Sequence, residues 1–326
     1  MKASCSLRVA RRMREIVVFS GSSHPALAEE ICARLGVSLA PSTTKRFTND
    51  CLETQLMANC RERDVFLIQT LSAPVQEHLM ELLLMIDAAR GASAARITVV
   101  LPFYAYARSD KKDAPRISIG GRLVADLLTT AGAGRVLTMA LHSPQVHGFF
   151  SVPVDHLHAL NELTQHFRRL DLSNTVVVSP DMGGAKSAAA FARRLGVPVA
   201  LGAKQRISDS EVRISAIIGE VAGRDVIVLD DEIAAGTTVI EVLDRLREIG
   251  IGEVRICCTH GLFGRDALQR LAGQPDVVEI VTTNTVPVAA EKRVGKLTVL
   301  SVAPALAEAM RRIHEGESVS ELFEER

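Results

Sequence analysis

The chain carries no surplus charge of either sign: 38 Lys and Arg balance 38 Asp and Glu over 326 residues, a formal net charge of zero at pH 7. That excludes the broad basic surface by which nucleic-acid-binding proteins neutralise phosphates. Any phosphate it binds must be held by local cations and backbone amides. No apolar run approaches the ~20 residues needed to span a bilayer, so no membrane partner is expected. The cysteines (Cys5, Cys32, Cys51, Cys60, Cys257, Cys258) form no C-x-x-C pair and no regular spacing. This argues against a zinc site or a disulfide framework and for a reducing compartment. Met1 to Arg14 is arginine-rich and acid-poor but has no apolar h-region. A transit-like peptide, a frayed tail or a start at Met13 are the readings open there, with the cytoplasm as the expected location.

What is present is a globular composition, 47% hydrophobic and 23% charged, at a length that suits roughly two domains. Strand-like and helix-like segments alternate, which predicts an α/β fold with mainly parallel sheets. Expected strands are Glu15–Ser20, Asp64–Gln69, Ile97–Pro102 and Arg135–Met139, with helices over Leu27–Leu35, His78–Gly91 and Gly121–Ala131. A second set starts with strand Thr175–Ser179 and helix Ala185–Leu195, and continues with strands Val199–Leu201, Val226–Leu229 and Val254–Thr259. Two similar blocks meeting near residue 160 follow, 13–160 and 161–313. The apolar C-terminal tail, 314–326, is expected to pack on the first. No low-complexity linker separates the blocks, so they are expected to share an interface.

The most informative stretch runs from Val226 to Val239. A short apolar, β-branched strand there leads to Asp230 and Asp231 at its carboxyl end, where open α/β sheets bind ligands. The small-residue turn Ala234-Ala235-Gly236-Thr237-Thr238 follows, and then a helical pattern. Such a turn lets backbone N–H groups, hydroxyls and the helix dipole close on a phosphate, while the carboxylates suit vicinal sugar hydroxyls. One strand–turn–helix therefore offers grips for both ends of a ribose 5-phosphate. The plainer alternative is a βα turn whose aspartate caps the helix.

Other strand ends also gather polar groups. Tyr104 to Asp113 places aromatics, Arg108, Lys111 and Lys112 after a strand, as an arginine fork for phosphate or as a solvated loop. His142 follows Met139 and is either a metal ligand or a hydrogen-bonded loop histidine. Asp181, Gly183 and Gly184 end a buried strand, where turn chemistry alone would need the glycines but not the aspartate. Lys204 and Arg206 sit on alternate positions of an extended segment and face the same way. They suit charge developing on a transferring phosphoryl group, or else form a basic surface loop.

In this order, the segments resemble the ribose-phosphate pyrophosphokinase family. Arg63-Asp-Val-Phe-Leu-Ile-Gln69, Pro102-Phe-Tyr-Ala-Tyr-Ala-Arg108, Leu141-His-Ser-Pro-Gln-Val-His-Gly-Phe-Phe150 and Val178-Ser-Pro-Asp-Met-Gly-Gly-Ala-Lys186 carry the resemblance, which reaches from Val17 to Phe323. It implies two pseudo-duplicated phosphoribosyltransferase-like domains and transfer of the diphosphoryl group of ATP to the C1 hydroxyl of ribose 5-phosphate. It further implies Mg²⁺ dependence, activation by inorganic phosphate, inhibition by ADP and a homo-hexamer built from dimers. Phe47 and Asn49 would hold adenine across a subunit boundary, and Arg108, with Ser109 and Asp110, the ATP phosphates. His142 and Asp181 would bind Mg²⁺, and Lys204 and Arg206 would act on the transferring group. Asp230, Asp231, Arg206 and the turn Ala234, Ala235, Gly236, Thr237, Thr238 would hold ribose 5-phosphate. Ser318 and Ser320 would belong to an allosteric phosphate site. The chain departs from the family pattern at Cys51, Ser109, Ala140, Ser151, Ala234 and Ala235. Those departures leave open a regulatory paralogue that assembles with an active synthetase, and the Ala-Gly-Thr core of the turn looks like that of a phosphoribosyltransferase.

Overall fold

The computed structural model describes residues 14–206 and 212–322. Its first sheet has six strands, all parallel, in the order β2-β1-β5-β6-β7-β8. They are β1 (Ile16–Ser20), β2 (Leu39–Ala40), β5 (Asp64–Ile68), β6 (Arg96–Leu101), β7 (Arg135–Met139) and β8 (Val154–Leu157), with β3 (Ser42–Arg46) and β4 (Leu52–Leu56) forming a separate antiparallel hairpin. Helices α1 (Pro25–Leu35), α2 (Val75–Gly91) and α3 (Gly120–Ala131) provide crossovers.

After α4 (Leu160–Phe167) the second block repeats the plan with β9 (Thr175–Ser179), α5 (Ala185–Leu195), β10 (Val199–Arg206), β11 (Val212–Ile218), β12 (Asp225–Ile233) and α6 (Thr237–Ile249). It continues through β13 (Val254–Gly261), α7 (Ala267–Ala272), β14 (Val277–Thr283) and β15 (Leu297–Leu300) to α8 (Ala303–Glu315). The order is β11-β10-β9-β12-β13-β14-β15, with only β11 antiparallel. Without β11, the six remaining strands match the first sheet position for position. In each block a hairpin is inserted directly after the strand that lies beside the block's first strand, β3–β4 in one and the β10 extension with β11 in the other. The pseudo-duplication expected from the sequence is therefore visible in the strand order itself.

Central strands are apolar throughout because helices cover both faces of a parallel sheet. Val65 to Ile68, Val176 to Val178 and Val226 to Val228 are all buried. Helix α8 does not stay with the block that precedes it. Its Leu306, Met310 and Ile313, with Val302 just before it, share a core with Val18, Leu27, Ile31 and Phe66 of the first block. Packing on the first block thus involves α8 itself as well as the tail expected there, because burial of one apolar helix face outweighs chain proximity. Two strands are longer than their apolar runs suggest. Strand β12 continues to Ile233, as Glu232 and Ile233 pair with His260 and Gly261. Strand β10 continues to Arg206 through pairing with β11, so Lys204 and Arg206 lie on a hairpin strand by backbone; their side chains lie outside the described residues.

The two blocks meet along a polar seam. Thr70 Oγ1 donates to the Thr285 carbonyl at 2.7 Å, and Asn284 Nδ2 donates to Glu30 Oε2 at 3.1 Å. This seam brings the carboxyl end of β7 against the carboxyl end of β12.

Candidate active site

At the end of β12 the chain turns through Gly236 into α6. Gly236 has φ +73°, and a Cβ there would lie 3.3 Å from Leu271 Cδ1, so both backbone and space call for glycine. The turn is tied from outside: Gly264 N–H donates to the Ala234 carbonyl at 2.9 Å and Arg270 Nη2 to the Ala235 carbonyl at 2.5 Å. The first amides of α6 have no acceptor within their own helix, and Thr237 beside them is exposed. A fixed turn that presents amides and a hydroxyl at a helix N-terminus has the chemistry that suits an anion.

Next to it the two blocks exchange charges. His142 Nδ1, following β7, lies 2.6 Å from Asp231 Oδ2 in β12. Arg108, on a single helical turn after β6, donates from Nε to Oε1 of buried Glu232 at 2.7 Å. One donor atom each from His142, Asp231 and Glu232 lies within 4.8 Å of the others. Burial and the neighbouring Asp231 charge hold the Asp230 carboxyl well above its usual range. Burial also pushes Asp231 up, but the hydrogen bond and charge of His142 outweigh it and hold Asp231 low. The hydrogen bond to Asp231 raises His142 above an ordinary histidine, against the opposing effect of burial. Glu232 is raised by burial, with Arg108 opposing. The Asp-Asp pair thus divides into one carboxyl that favours its proton and one that stays charged.

The turn carrying His142 is itself unusual. Ala140 has φ +44°, a left-handed conformation that costs an L-residue about 1–2 kcal/mol. Its carbonyl faces Nε2 of His260 at 3.1 Å, and the Leu141 N–H donates to Nε2 of His156 at 2.9 Å.

Other expected residues are distributed as follows. The Asp181 carboxylate accepts from Gly184 N–H at 3.2 Å, ahead of α5. It lies outside the His142 group of mutually close donors, yet near enough to raise Asp230. Ser109 is committed inside its own loop: its hydroxyl accepts from Gly120 N–H at 2.8 Å at the start of α3. Asp110 is half-buried beside it. Phe47, exposed, and Asn49 stand at the tip of the β3–β4 hairpin, which packs on α2 through Arg46 and Glu77. The Ser318 carbonyl accepts from Arg312 at 2.9 Å, and its hydroxyl from the Ser320 N–H at 3.3 Å, beside α8. Sequence reasoning missed Glu232, His156 and His260. Glu232 directly follows the two aspartates, a visible signal, but the strand was expected to end before it. The two histidines carry no sequence signal.

Comparison with known proteins agrees with this architecture. Residues 16–132 match the family described as the N-terminal domain of ribose phosphate pyrophosphokinase, and residues 206–324 the phosphoribosyl synthetase-associated domain. A Streptomyces coelicolor protein provisionally named as a ribose-phosphate pyrophosphokinase is 72% identical over 96% of this chain and 99% of its own. The ribose-phosphate pyrophosphokinase of Deinococcus radiodurans is 52% identical over 96% of this chain and 99% of its own. The crystal structure of phosphoribosylpyrophosphate synthetase from Mycobacterium smegmatis superposes with a TM-score of 0.88 at 41% identity, covering 93% of this chain and all of that one. Whole-length similarity of this kind leaves the regulatory and phosphoribosyltransferase readings without support.

Proposed function

The chain belongs to the ribose-phosphate pyrophosphokinase family, and we propose that it makes 5-phosphoribosyl 1-diphosphate and AMP from ATP and ribose 5-phosphate. The C1 hydroxyl oxygen attacks the β-phosphorus of ATP. The bond from that phosphorus to the oxygen bridging it to the α-phosphate breaks, AMP leaves with this oxygen, and the C1 hydroxyl proton is released to solvent. The observation that carries the reading is the meeting of His142 with Asp231 and of Arg108 with Glu232, beside a turn built for a phosphate.

The turn from Ala234 to Thr238 holds the 5-phosphate through amides and the Thr237 hydroxyl. Asp231, held ionised, accepts from a ribose hydroxyl. Arg108 exchanges Glu232 for the ATP phosphates, and Phe47 and Asn49 contact adenine. Lys204 and Arg206, on a strand of the β10–β11 hairpin, are the cations assigned to the transferring group, where fixed charges act mainly on the transition state. The oxygen-rich set of Asp231, Glu232 and, nearby, Asp230 and Asp181 suits a hard cation, with His142 at its edge. Mg²⁺ held there would supply charge neutralisation to the polyphosphate. Exposed Phe47, Met57, Leu123 and Leu127 fit burial between subunits of the expected homo-hexamer. Inorganic phosphate near Ser318 and Ser320 and ADP are the effectors proposed, and the cytoplasm is the proposed location.

The test is purified protein with ATP, Mg²⁺ and ribose 5-phosphate, following AMP. Formation dependent on the sugar phosphate is expected, and none above a no-sugar control overturns the reading.

A further inference from the structure

We infer that His260 is a positioning residue for His142, acting across the seam between the blocks through the Ala140 carbonyl. It stands at the carboxyl end of β13, only 2% exposed, paired in the sheet with Glu232. Both ring nitrogens are engaged. Nε2 faces the Ala140 carbonyl at 3.1 Å, and Nδ1 faces the Thr285 hydroxyl at 2.9 Å. A carbonyl can only accept, so Nε2 carries the proton and Nδ1 is left to accept; the donor facing it is the Thr285 hydroxyl, which also lies 3.1 Å from the Thr259 carbonyl. The ring is also held by Phe103 of the first block, with centroids 4.8 Å apart. One side chain of the second block therefore donates a hydrogen bond to the backbone two residues before His142.

That backbone needs holding. Ala140 keeps φ +44° where glycine would be the ordinary choice. Three contacts over-determine it: the Ala140 N–H donates to the Leu157 carbonyl at 2.8 Å, the Leu141 N–H to His156 Nε2 at 2.9 Å, and the Ala140 carbonyl accepts from His260. The first two come from the first block and set the turn within it. The third comes from the second block, which also supplies Asp231 and Glu232. It fixes the turn in register with the carboxylates His142 must face. Partners of this outer kind alter metal affinity or activity by roughly 10–100-fold when lost.

The inference rests on the proposed role of His142 at the metal site, and the test separates the two. His142→Ala, His260→Leu, His260→Gln and Thr285→Val are compared for Mg²⁺ dependence of AMP formation. Amide hydrogen exchange of residues 139–143 is measured on the same proteins. His260→Leu keeps volume and removes the donor. It should raise the Mg²⁺ needed for half-maximal rate about tenfold and speed exchange at Leu141 and His142, with Ile227 and Val228 in β12 unchanged. His260→Gln, whose amide can replace Nε2–H, should stay near wild type. Thr285→Val leaves His260 Nδ1 without its partner and loosens the ring, and should shift in the same direction as His260→Leu; it decides the matter if His260→Leu does not fold. If His142→Ala lowers activity while His260→Leu and Thr285→Val keep the wild-type Mg²⁺ dependence, the positioning role is overturned and the metal-site reading stands. If His142→Ala itself is unaffected, both fall. Exchange that rises equally along β12 would show a merely structural role and also overturn the proposal.

Discussion

His142 and Asp231 are 89 positions apart in the chain, belong to different blocks, and meet at 2.6 Å. The pair makes the seam between the blocks sensitive to pH. His142 has its folded pKa raised, mainly by Asp231, so its contribution is full below the unfolded value and is lost as pH rises through the raised one. Asp231 has its folded pKa lowered, so its contribution is present above the unfolded value and lost as pH falls through the lowered one. The pair therefore stabilises most between about pH 4 and 6.5. With the side chains 40% and 32% exposed, solvent screening limits it to ~0.2–1 kcal/mol. Denaturant unfolding of Asp231→Asn should show a larger loss at pH 6 than at pH 9, where relief of Asp230 offsets it. Equal losses at both values would contradict the pairing.

Asp230 points the other way. Burial and the Asp231 charge raise its folded pKa, so its stabilising effect is complete below the unfolded value and declines as pH rises through the folded one. At neutral and alkaline pH the residue strains the fold for the sake of its site. Asp230→Asn should therefore raise Tm by a few degrees at pH 8, a gain of ~1 kcal/mol, and raise it less at pH 4. Activity should fall roughly tenfold or more, because asparagine cannot supply the negative charge that a hard cation beside Asp231 and Glu232 would draw on. A variant less stable than wild type at pH 8 would show that Asp230 is not held against its charge.

Much of this was legible in the sequence where local chemistry decides structure. The buried runs at Val65 and Val226, the glycine at 236 and the helices behind them each follow from residue type over a few positions. The chain repeat was legible too, because each block restarts with a β-branched strand and a small-residue turn. What stayed hidden depends on partners distant in sequence. Glu232 reads as a loop acid until β13 arrives to extend β12 past it. Helix α8 reads as the end of the second block until its apolar face finds α1. The tie between the Ser109 hydroxyl and the start of α3 is hidden too, since its partner Gly120 lies eleven positions on. His156 and His260 have no pattern at all, since a histidine that holds a backbone turn is defined only by what faces it.

The docking of α8 offers a test of stability alone. Asp64, 1% exposed at the start of β5, accepts from Arg96 Nε at 2.8 Å and lies 2.8 Å from His314 Nδ1 at the end of α8. Removing that carboxylate leaves the partly buried Arg96 guanidinium without its counter-charge, typically a loss of about 3–5 kcal/mol. Asp64→Ala should lose that much in denaturant unfolding and become open to tryptic cleavage at Arg311 or Arg312 before the rest unfolds. A loss below ~1 kcal/mol would mean that apolar packing alone docks the helix.

The turn after β12 carries the prediction most exposed to failure. Ala234 and Ala235 contribute no side-chain donors, and their carbonyls are already taken by Gly264 and Arg270. On the proposed reading, recognition of the 5-phosphate then falls to backbone amides, Thr237 and Thr238. A hydrogen bond to a charged partner is worth roughly 1.5–3 kcal/mol, about ten- to a hundredfold in affinity. Thr237→Ala should raise KM for ribose 5-phosphate by about tenfold or more and move KM for ATP far less. Ala235 is exposed, so Ala235→Thr can be accommodated, and the added hydroxyl should lower the same KM. Gly236→Ala should do worst. It forces a β-carbon into the left-handed region and against Leu271, destabilising the turn by about 1–2 kcal/mol and distorting the amides that hold the phosphate. Steady-state kinetics with each substrate varied in turn distinguish these outcomes. If Thr237→Ala and Ala235→Thr both leave the sugar-phosphate KM unchanged, the turn does not hold the 5-phosphate, and the site must be oriented the other way round.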